Sequence, residues 1–298
     1  MIPIPIPLRP THFVFLCVGP KTLETVIKID GFELKEVEEI VESVPKLWKV
    51  ISDKNALVVA EEKAHFDINE SKKIGSKIVS VLDDEYPTIL RDTSDKPFFL
   101  INGQMPKRPC VAIIGTREPT IHGEEISRRI SKFISENGWS IVSGLALGCD
   151  SIAHRASIEN NGHTIAVLAH GLHTIAPKKN KILAEEILST SGALVTEYEF
   201  GADTMPYQFA ERDRIQAGLS QGVIMIQSDI EGGSLIAYRA AIKYGRILAV
   251  PYPTDLDKNK KVDKIEAYLV LAGSDDVAKR KLLNCKPFEL HNVFVINI

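Results

Sequence analysis

Ser143, Asp150 and His154 place a hydroxyl, a carboxylate and an imidazole in one short stretch, "VSGLALGCDSIAH". These three groups are the components of a hydrolytic triad. The glycines of the same stretch allow a different chemistry, because a glycine turn before a helix lets backbone N–H groups bind a phosphate. A third alternative is structural, with Asp150 capping the first turn of the helix.

The spacing of these residues argues against hydrolysis. Asp150 and His154 are four residues apart on one predicted helix, so their side chains can reach each other. Nothing in the sequence brings Ser143 within reach of His154, and Ser143 lacks the G-x-S-x-G elbow of many hydrolases. We therefore interpret Asp150 as a helix cap and His154 as its neighbour. We predict no catalytic residue, no enzyme activity and no metal site.

Two further loops are similar to the turn at Ser143 and Gly144, because each follows an apolar run and is rich in glycine or small polar residues. They are Gly115, Thr116 and Arg117 in "IIGTREPT", and Gly232, Gly233 and Ser234 in "IEGGSLIAYR". Backbone N–H groups in such loops bind anions, and the guanidinium of Arg117 adds bidentate contacts. The loops match neither G-x-G-x-x-G nor G-x-x-x-x-G-K-[ST], so we predict an anion site without NAD, ATP or any other cofactor.

Basic residues near these loops extend the predicted anion site. They are Lys178, Lys179 and Asn180 in "APKKNKI", and Arg212 and Arg214 in "FAERDRIQAGLS". A lysine cluster is usually a solvated surface, but this one follows a strand, and the carboxyl ends of parallel strands share one edge of a sheet. Phe209 fits either a base-stacking surface or the core, and we favour the core.

Alternating strands and helices between residues 110 and 251 would position these loops. Apolar runs predict strands at 110–114, 140–143, 164–169, 192–197, 222–227 and 246–251, and helical periodicity predicts helices at 123–138, 149–160, 181–190, 208–220 and 233–245. The apolar runs are continuous rather than alternating, which is typical of parallel strands covered on both faces. The fold class is therefore α/β, with a doubly wound, mostly parallel sheet that binds ligands at the carboxyl ends of its strands.

The two flanking segments differ from this pattern. Residues 32–51 predict an acidic amphipathic helix and residues 21–31 a short helix, while "ALVVA" and "KIVSVL" predict two strands of a small accessory unit. We place a small helical or mixed N-terminal domain at 1–78, the α/β domain at 79–255 and a C-terminal extension at 256–298.

Composition limits the classes of function. The chain of 298 residues is 44% hydrophobic and 25% charged with a net charge of −3, which is ordinary for a globular protein. Residues 101–250 contain 15 Lys+Arg and 15 Asp+Glu, so a polyanion must be bound by a local patch or by backbone N–H groups. Four cysteines without C-x-x-C spacing, a proline-rich start and the lack of a long apolar run predict a cytoplasmic protein with no membrane partner.

Eight stretches of residues 79–251 occur in an order and spacing typical of one known family. They are "VAIIGTREPT", "VSGLALGCDSIAH", "TIAVLAHGL", "PKKN", "GALVTEY", "QFAERDRIQAGLS", "EGGSLIAYRAA" and "AVP". In these the chain resembles the DNA-processing protein A family, also called DprA or Smf. The resemblance implies an extended Rossmann-like domain without established catalysis. It also implies a homodimer that binds and protects single-stranded DNA during natural transformation and loads a RecA-type recombinase.

The resemblance also implies where DNA is bound, and it shows two departures. The family contacts DNA through the loops matching Gly115–Arg117, Ser143–Gly144 and Lys178–Asn180, which the residue types also indicate. The family commonly has arginine at the position of Leu147 and asparagine at the position of Asp213. Both differences make the site less positive, which weakens the binding of a polyanion. The winged helix that ends many relatives is not recognisable here.

Two other functions are compatible with the sequence. Rossmann-like phosphoribohydrolases resemble P-G-G-x-G-T-x-x-E at the third loop, where this chain has "EGGSLIAYR" with Arg239 in place of the glutamate. The alternative is therefore a nucleotide sensor without chemistry, or a weak nucleotide hydrolase. A partner-binding module that uses residues 32–51 and "NVFVINI" has no positive motif and ranks last.

Overall fold

The computed structural model describes residues 54–79, 83–91, 93, 97–255, 257 and 265–297. These residues fall into two compact units, the first within 1–86 and 95–100 and the second within 87–94 and 101–298. The helices predicted at 21–31 and 32–51 lie outside the described residues. Across the described ranges, no helix combines the length and the apolar character needed to cross a bilayer.

The first unit contains helix α1 (Lys54–Ile74), strand β1 (Lys77–Val79) and the start of strand β2 (Phe99–Gly103). The prediction of a strand at "ALVVA" is wrong, because this run lies inside α1. Residues 54–74 contain no glycine or proline and many good helix formers, so the helix continues through the apolar run. The predicted strand at "KIVSVL" is present as β1, and its residues 80–82 are outside the described ranges.

The second unit is a parallel sheet flanked by helices. Its further strands are β3 (Cys110–Ile114), β4 (Ser140–Ser143), β5 (His163–Val167), β6 (Ala193–Thr196), β7 (Gly222–Met225), β8 (Ile247–Pro251) and β9 (Val293–Ile296). Its helices are α2 (Thr88–Arg91), α3 (Ile121–Glu136), α4 (Cys149–Glu159), α5 (Lys181–Ser189), α6 (Pro206–Gly218), α7 (Ser234–Lys243), α8 (Glu266–Ala272) and α9 (Asp276–Leu283). The strands and helices predicted between residues 110 and 251 are present, with ends within two residues of those predicted.

The order of the strands confirms the predicted fold class. From β6 to β9 the order is β6-β5-β4-β3-β7-β8-β9, and neighbouring strands are parallel throughout. Every residue of β3, β4, β6 and β7 is buried, which explains their continuous apolar runs. The protein therefore has an α/β fold with a doubly wound, mostly parallel, Rossmann-like sheet.

The strand order reverses between β3 and β7, because β4, β5 and β6 follow on one side of β3 and β8 follows β7 on the other. Ala112 of β3 stands opposite Val142 of β4 on one side and Val223 of β7 on the other. Because the connections that leave β3 and β7 turn to opposite sides, a crevice opens at the carboxyl ends of these two strands. The first and third predicted loops follow these same two strands.

The C-terminal extension contributes a strand that the sequence analysis did not predict. Val293–Ile296 pairs in parallel with Leu248–Pro251, so β9 extends the sheet beyond β8. Helices α8 and α9 separate the two strands along the chain, and nothing in the short run "NVFVINI" indicates which strand it would join.

Candidate nucleic-acid interface

A cavity of about 400 Å³ lies at the carboxyl ends of β3 and β7, and we call it the switch-point cavity. Seven residues of the predicted anion site line it: Gly115, Thr116, Arg117, Arg212, Gly232, Gly233 and Ser234. Six others do not line it: Ser143, Gly144, Lys178, Lys179, Asn180 and Arg214. The fold thus brings the first and third loops together and adds the start of α6 as another wall.

Asp150 occupies the position that the second loop was expected to offer to a phosphate. Its Oδ2 accepts hydrogen bonds from the backbone N–H groups of Gly144 (3.1 Å) and Ala146 (3.3 Å). The prediction that Asp150 caps its own helix is wrong, because the N-cap residue of α4 is Gly148 and no side chain caps that end. The backbone donors of the second loop are therefore satisfied by a carboxylate of the protein itself.

The first turn of α4 is also covered by protein. The N–H of Cys149 donates to the carbonyl of Thr116 over 3.2 Å. Gly148 has a φ of +75°, and a Cβ there would lie 2.5 Å from that carbonyl oxygen, so glycine is required for the first loop to lie this close. At the N-terminus of α4, the first and second loops therefore pack against each other.

Ser143 and Gly144 support the cavity without lining it. Ser143 is fully buried, and its hydroxyl donates to the carbonyl of Ile113 over 2.6 Å. A Cβ on Gly144 would lie 1.5 Å from Nη1 of Arg212, so the glycine leaves the space that the guanidinium fills. This revises the expectation that both residues contact a phosphate. Ser143 instead joins β4 to β3, and Gly144 leaves space for the side chain of Arg212.

Arg212 is a buried cation at the floor of the cavity. Its side chain is 4% exposed, and its Nη1 donates to the carbonyl of Val167 at the end of β5 over 2.8 Å. Its Nε lies 3.3 Å from Oδ1 of Asp213. Arg212 therefore ties α6 to the end of β5 and at the same time presents positive charge to the cavity.

Two carboxyl groups lie near this cation: Asp150, which is buried, and Asp213, whose side chain is 13% exposed. Burial raises the pKa of Asp150, and Arg212 opposes the change. Burial also raises the pKa of Asp213 to about 7, with Arg212 opposing and Asp150 reinforcing the shift. Both directions follow because removal from water disfavours the charged form of a carboxyl. The wall of the cavity at Asp213 therefore changes charge near neutral pH.

His154 does not contact Asp150 as predicted. Its Nδ1 lies 2.7 Å from Oγ1 of Thr164, and that hydroxyl donates to the carbonyl of Ile141 over 3.1 Å. The hydroxyl therefore accepts from His154, which places the imidazole proton on Nδ1. Burial, and secondly Arg212, lowers the pKa of His154 to about 3, so the ring is neutral. The residue links α4 to β4 and β5.

Arg214 is paired away from the cavity. Its Nη1 and Nη2 each lie 2.7 Å from one carboxylate oxygen of Glu197, whose side chain is 1% exposed. Such a bidentate pair uses the donors that a phosphate would need. This revises the expectation that Arg214 contacts DNA, because the residue instead joins α6 to the segment after β6.

The turn at Lys178–Asn180 lies beside the cavity. Asn180 is buried, and its Nδ2 donates to the carbonyls of Leu145 (2.8 Å) and Ala146 (3.2 Å). Ala146 lines the cavity, while Lys178 and Lys179 are exposed. Asn180 therefore fixes the position of the turn, and the two exposed lysines carry its positive charge.

Arg117 and Phe209 form the exposed side of the cavity. The guanidinium carbon of Arg117 lies 5.4 Å from the centroid of the Phe209 ring. Arg117 is exposed, and Phe209 is only partly buried and lines the cavity, so the preference for a core position of Phe209 is revised. A guanidinium beside an aromatic ring can hold a phosphate and a base together.

Three polar residues of the cavity wall were missed in the sequence. They are Gln216, Ser228 and Asp229. The signal for Gln216 was its helical spacing from Phe209 and Asp213, which puts all three on one face of α6.

Leu147 stands where the family commonly has arginine. Its side chain is 37% exposed and does not line the cavity.

Replacement of Asp213 is expected to change how stability depends on pH. The folded pKa of Asp213 is about 7, against 3.8 for an ordinary carboxyl. Between these values the folded protein holds a proton that the unfolded chain releases, so the contribution of Asp213 to the unfolding free energy falls as the pH rises from about 4 to about 7. In Asp213→Asn this fall is absent, and the variant gains on the order of 4 kcal/mol over the parent protein across that range.

Urea unfolding of both proteins at several pH values between about 4 and 8 measures this difference. Glu136→Gln is the matched control, because the side chain of Glu136 is 53% exposed at the end of α3. If the difference in unfolding free energy between the parent protein and Asp213→Asn is the same at every pH, Asp213 does not keep its proton in the folded protein over this range.

Comparison with known proteins places the chain in a family. A family model described as DNA recombination-mediator protein A matches residues 77–277. The chain belongs to this family. The matched residues include both loops that line the switch-point cavity and the whole of α6.

Relatives in the DNA recombination-mediator protein A family come from several bacteria. Protein Smf of Escherichia coli (strain K12) is 37% identical over 172 residues, which are 56% of this chain and 46% of that protein. DNA processing protein DprA of Bacillus subtilis (strain 168) is 37% identical over 182 residues, which are 59% of this chain and 61% of that protein. The chain thus matches about half to three fifths of the length of these relatives.

Two solved structures share the fold. DNA processing protein A of Streptococcus pneumoniae is 31% identical with a TM-score of 0.60, over 75% of this chain and 82% of that chain. The protein from Helicobacter pylori is 26% identical with a TM-score of 0.57, over 74% of this chain and 91% of that chain. The Helicobacter pylori protein is described as having a unique single-stranded DNA binding mode.

Proposed function

We propose that this protein binds single-stranded DNA at the switch-point cavity. The observation that carries the proposal is the convergence of three anion-binding groups on one cavity. Arg117 and Arg212 supply guanidinium groups, and Gly233 is the N-cap of α7 without a side-chain cap. The N–H groups of Leu235 and Ile236 already donate to backbone carbonyls. The N-terminus of α7 therefore offers a phosphate its partial positive charge and the N–H groups of Gly233 and Ser234. The single-stranded DNA binding described for the Helicobacter pylori relative supports the same assignment.

The size and lining of the cavity favour a single strand over a duplex. A volume of about 400 Å³ is in the range of small-molecule sites, which accommodates one nucleotide but not a double helix. A base can stack on Phe209 only when it is unpaired and turned out of its own stack. In this proposal Lys178 and Lys179, in the turn that Asn180 joins to Ala146, extend the positive path along the strand.

We propose binding rather than catalysis. The hydroxyl of Ser143 and the imidazole of His154 were the candidate nucleophile and base. Ser143 donates to the carbonyl of Ile113, and His154 to the hydroxyl of Thr164, and both residues are fully buried. Neither group can therefore act on a substrate in the cavity.

We further propose that the protein acts in the cytoplasm as a homodimer that loads a RecA-type recombinase onto the bound strand. Membership of a family described as recombination mediators supports this role. Light scattering would test the dimer. Assembly of recombinase on a strand coated by single-strand-binding protein would test the loading. No acceleration of that assembly by this protein would contradict the loading role.

Arg117→Ala is expected to weaken binding of a single strand about tenfold, because a charged hydrogen-bonding group at the cavity is lost. Fluorescence anisotropy of a labelled oligonucleotide of mixed sequence measures the affinity, and titrations at several salt concentrations should give a steep salt dependence. Arg128→Ala is the matched control, because Arg128 is 55% exposed on α3 and does not line the cavity. Absence of saturable binding at low salt, or equal losses in both variants, would contradict the proposal.

A nucleotide sensor is the second candidate function, favoured by the size of the same cavity. Binding of a free nucleotide would raise the melting temperature, because a ligand of the native state stabilises it. A thermal-shift series with mononucleotides and dinucleotides separates the two functions. Stabilisation by one nucleotide together with no affinity for a single strand would favour the sensor.

A further inference from the structure

The wall of the switch-point cavity that α6 forms carries hydrogen-bond acceptors. Asp213 and Gln216 both line the cavity on this helix. Oδ1 of Asp213 accepts from Nε2 of Gln216 over 2.8 Å and lies 3.3 Å from Nε of Arg212. Oδ2 of Asp213 makes no hydrogen bond within the described part of the chain. Both protein donors thus approach one carboxylate oxygen and leave the other unused.

The unused oxygen lies close to the N-terminus of α7. An ideal Cβ on Gly233 would lie 3.6 Å from Oδ2 of Asp213, and Gly233 also lines the cavity. The amide of Gln216 presents its nitrogen to Asp213, because a carboxylate oxygen can only accept. Its Oε1 is consequently turned away, and this buried atom has no hydrogen-bond partner among the described residues. The wall thus carries two acceptor atoms without a donor.

A phosphate cannot satisfy this wall, because phosphate oxygens are themselves acceptors and would be repelled by a carboxylate. A nucleobase with an amino group can, since the N–H bonds of cytosine N4, adenine N6 or guanine N2 are donors. Phe209 lies one helical turn before Asp213 on the same face, so a base that stacks on the ring has its edge near the carboxylate.

We propose that the switch-point cavity selects a base with an exocyclic amino group, which donates to Oδ2 of Asp213. Thymine is disfavoured, because its only donor, the N3–H, lies between two carbonyl oxygens that would meet the same carboxylate. This inference rests on the proposed binding of single-stranded DNA and adds a base preference to it. The phosphate of the same nucleotide then lies toward Arg117, which lines the same cavity.

The test compares oligo(dC) with oligo(dT) of equal length, since both are pyrimidine strands that stack weakly. Measurements at about pH 8 keep Asp213 ionised, because its pKa is about 7. The expected affinity for oligo(dC) is roughly fivefold higher than for oligo(dT), as for one specific base contact. A strand in which 2-pyrimidinone replaces cytosine lacks only the amino group and should bind like oligo(dT).

Asp213→Asn should bring the ratio of the two affinities close to one, because a carboxamide can also donate to a thymine carbonyl. Glu211→Gln is the matched control on the same helix, since Glu211 does not line the cavity, and it should keep the ratio. Equal affinities of the parent protein for the three strands would overturn the inference while leaving the proposed function intact. A preference that survives in folded Asp213→Asn would overturn the role of Asp213. No binding of any strand would instead contradict the proposed function.

Discussion

Arg212→Ala is expected to lower the unfolding free energy by about 3–5 kcal/mol, the cost of removing one partner from a buried set of charges. For a domain of this size the loss corresponds to a fall in Tm on the order of 10 °C. Thermal and urea unfolding measure both quantities. This is the largest effect that we expect from any single side chain at the switch-point cavity.

The physical reason is that Arg212 has two roles at one place. Its Nη1 satisfies the carbonyl of Val167, which becomes an unpaired buried acceptor in the variant. Its charge also lies beside the carboxyl groups of Asp150 and Asp213. Without the cation both carboxyl groups must take up a proton or remain charged away from water, and either outcome costs free energy.

Arg155→Ala is the matched control for this prediction. Arg155 is 48% exposed on α4, and its Nη1 lies 3.7 Å from a carboxylate oxygen of Glu186. Exposed pairs of this kind contribute between about 0 and 1 kcal/mol. A loss in Arg212→Ala no larger than in Arg155→Ala would show that Arg212 does not hold the cavity together.

Gly144→Ala is expected to destabilise the protein by about 2–4 kcal/mol, although it adds only a methyl group. The new Cβ would lie 1.5 Å from Nη1 of Arg212, so the guanidinium must leave its position and its hydrogen bond to Val167. Gly233→Ala is the control for stability, because its Cβ would meet only Oδ2 of Asp213, at an ordinary 3.6 Å. Urea unfolding of the two variants compares a glycine that is needed for space with one that is not.

A double-mutant cycle makes this prediction specific to Arg212. With the guanidinium already removed, the methyl group has room, so Gly144→Ala should cost little in the Arg212→Ala background. Additive losses would mean that Gly144 is required for a reason unrelated to Arg212.

The sequence was sufficient for the strands and helices between residues 110 and 251, but not for strand β9 or for the helix at "ALVVA". Continuous apolar runs such as "CVAII" predict parallel strands because burial on both faces leaves no polar alternation. The loops after β3 and β7 could be identified as candidate ligand loops because glycine and small polar residues follow those strands directly, and both loops line the switch-point cavity. The two loops line one cavity because β3 and β7 are neighbours in the sheet, and this strand order could not be predicted from the sequence.

The second loop was misjudged for a physical reason. Glycines before a helix predict an anion site, but the backbone N–H groups of Gly144 and Ala146 donate to the carboxyl group of Asp150. Sequence spacing cannot distinguish a carboxylate that caps its own helix from one that turns back to the loop before it. Arg212 was expected at the site, yet its partner Val167 lies 45 residues away along the chain. Only the packed structure shows that the same guanidinium supports the site and lines it.

The central claim is that a single strand lies in the switch-point cavity, and photo-cross-linking tests it most directly. A strand that carries 5-iododeoxycytidine is irradiated in complex with the full chain, and the attached peptides are mapped by mass spectrometry. We predict cross-links to Phe209 and to the loop at Gly115–Arg117, which disappear when unlabelled strand competes. Competable cross-links found only on residues outside the cavity would contradict the account.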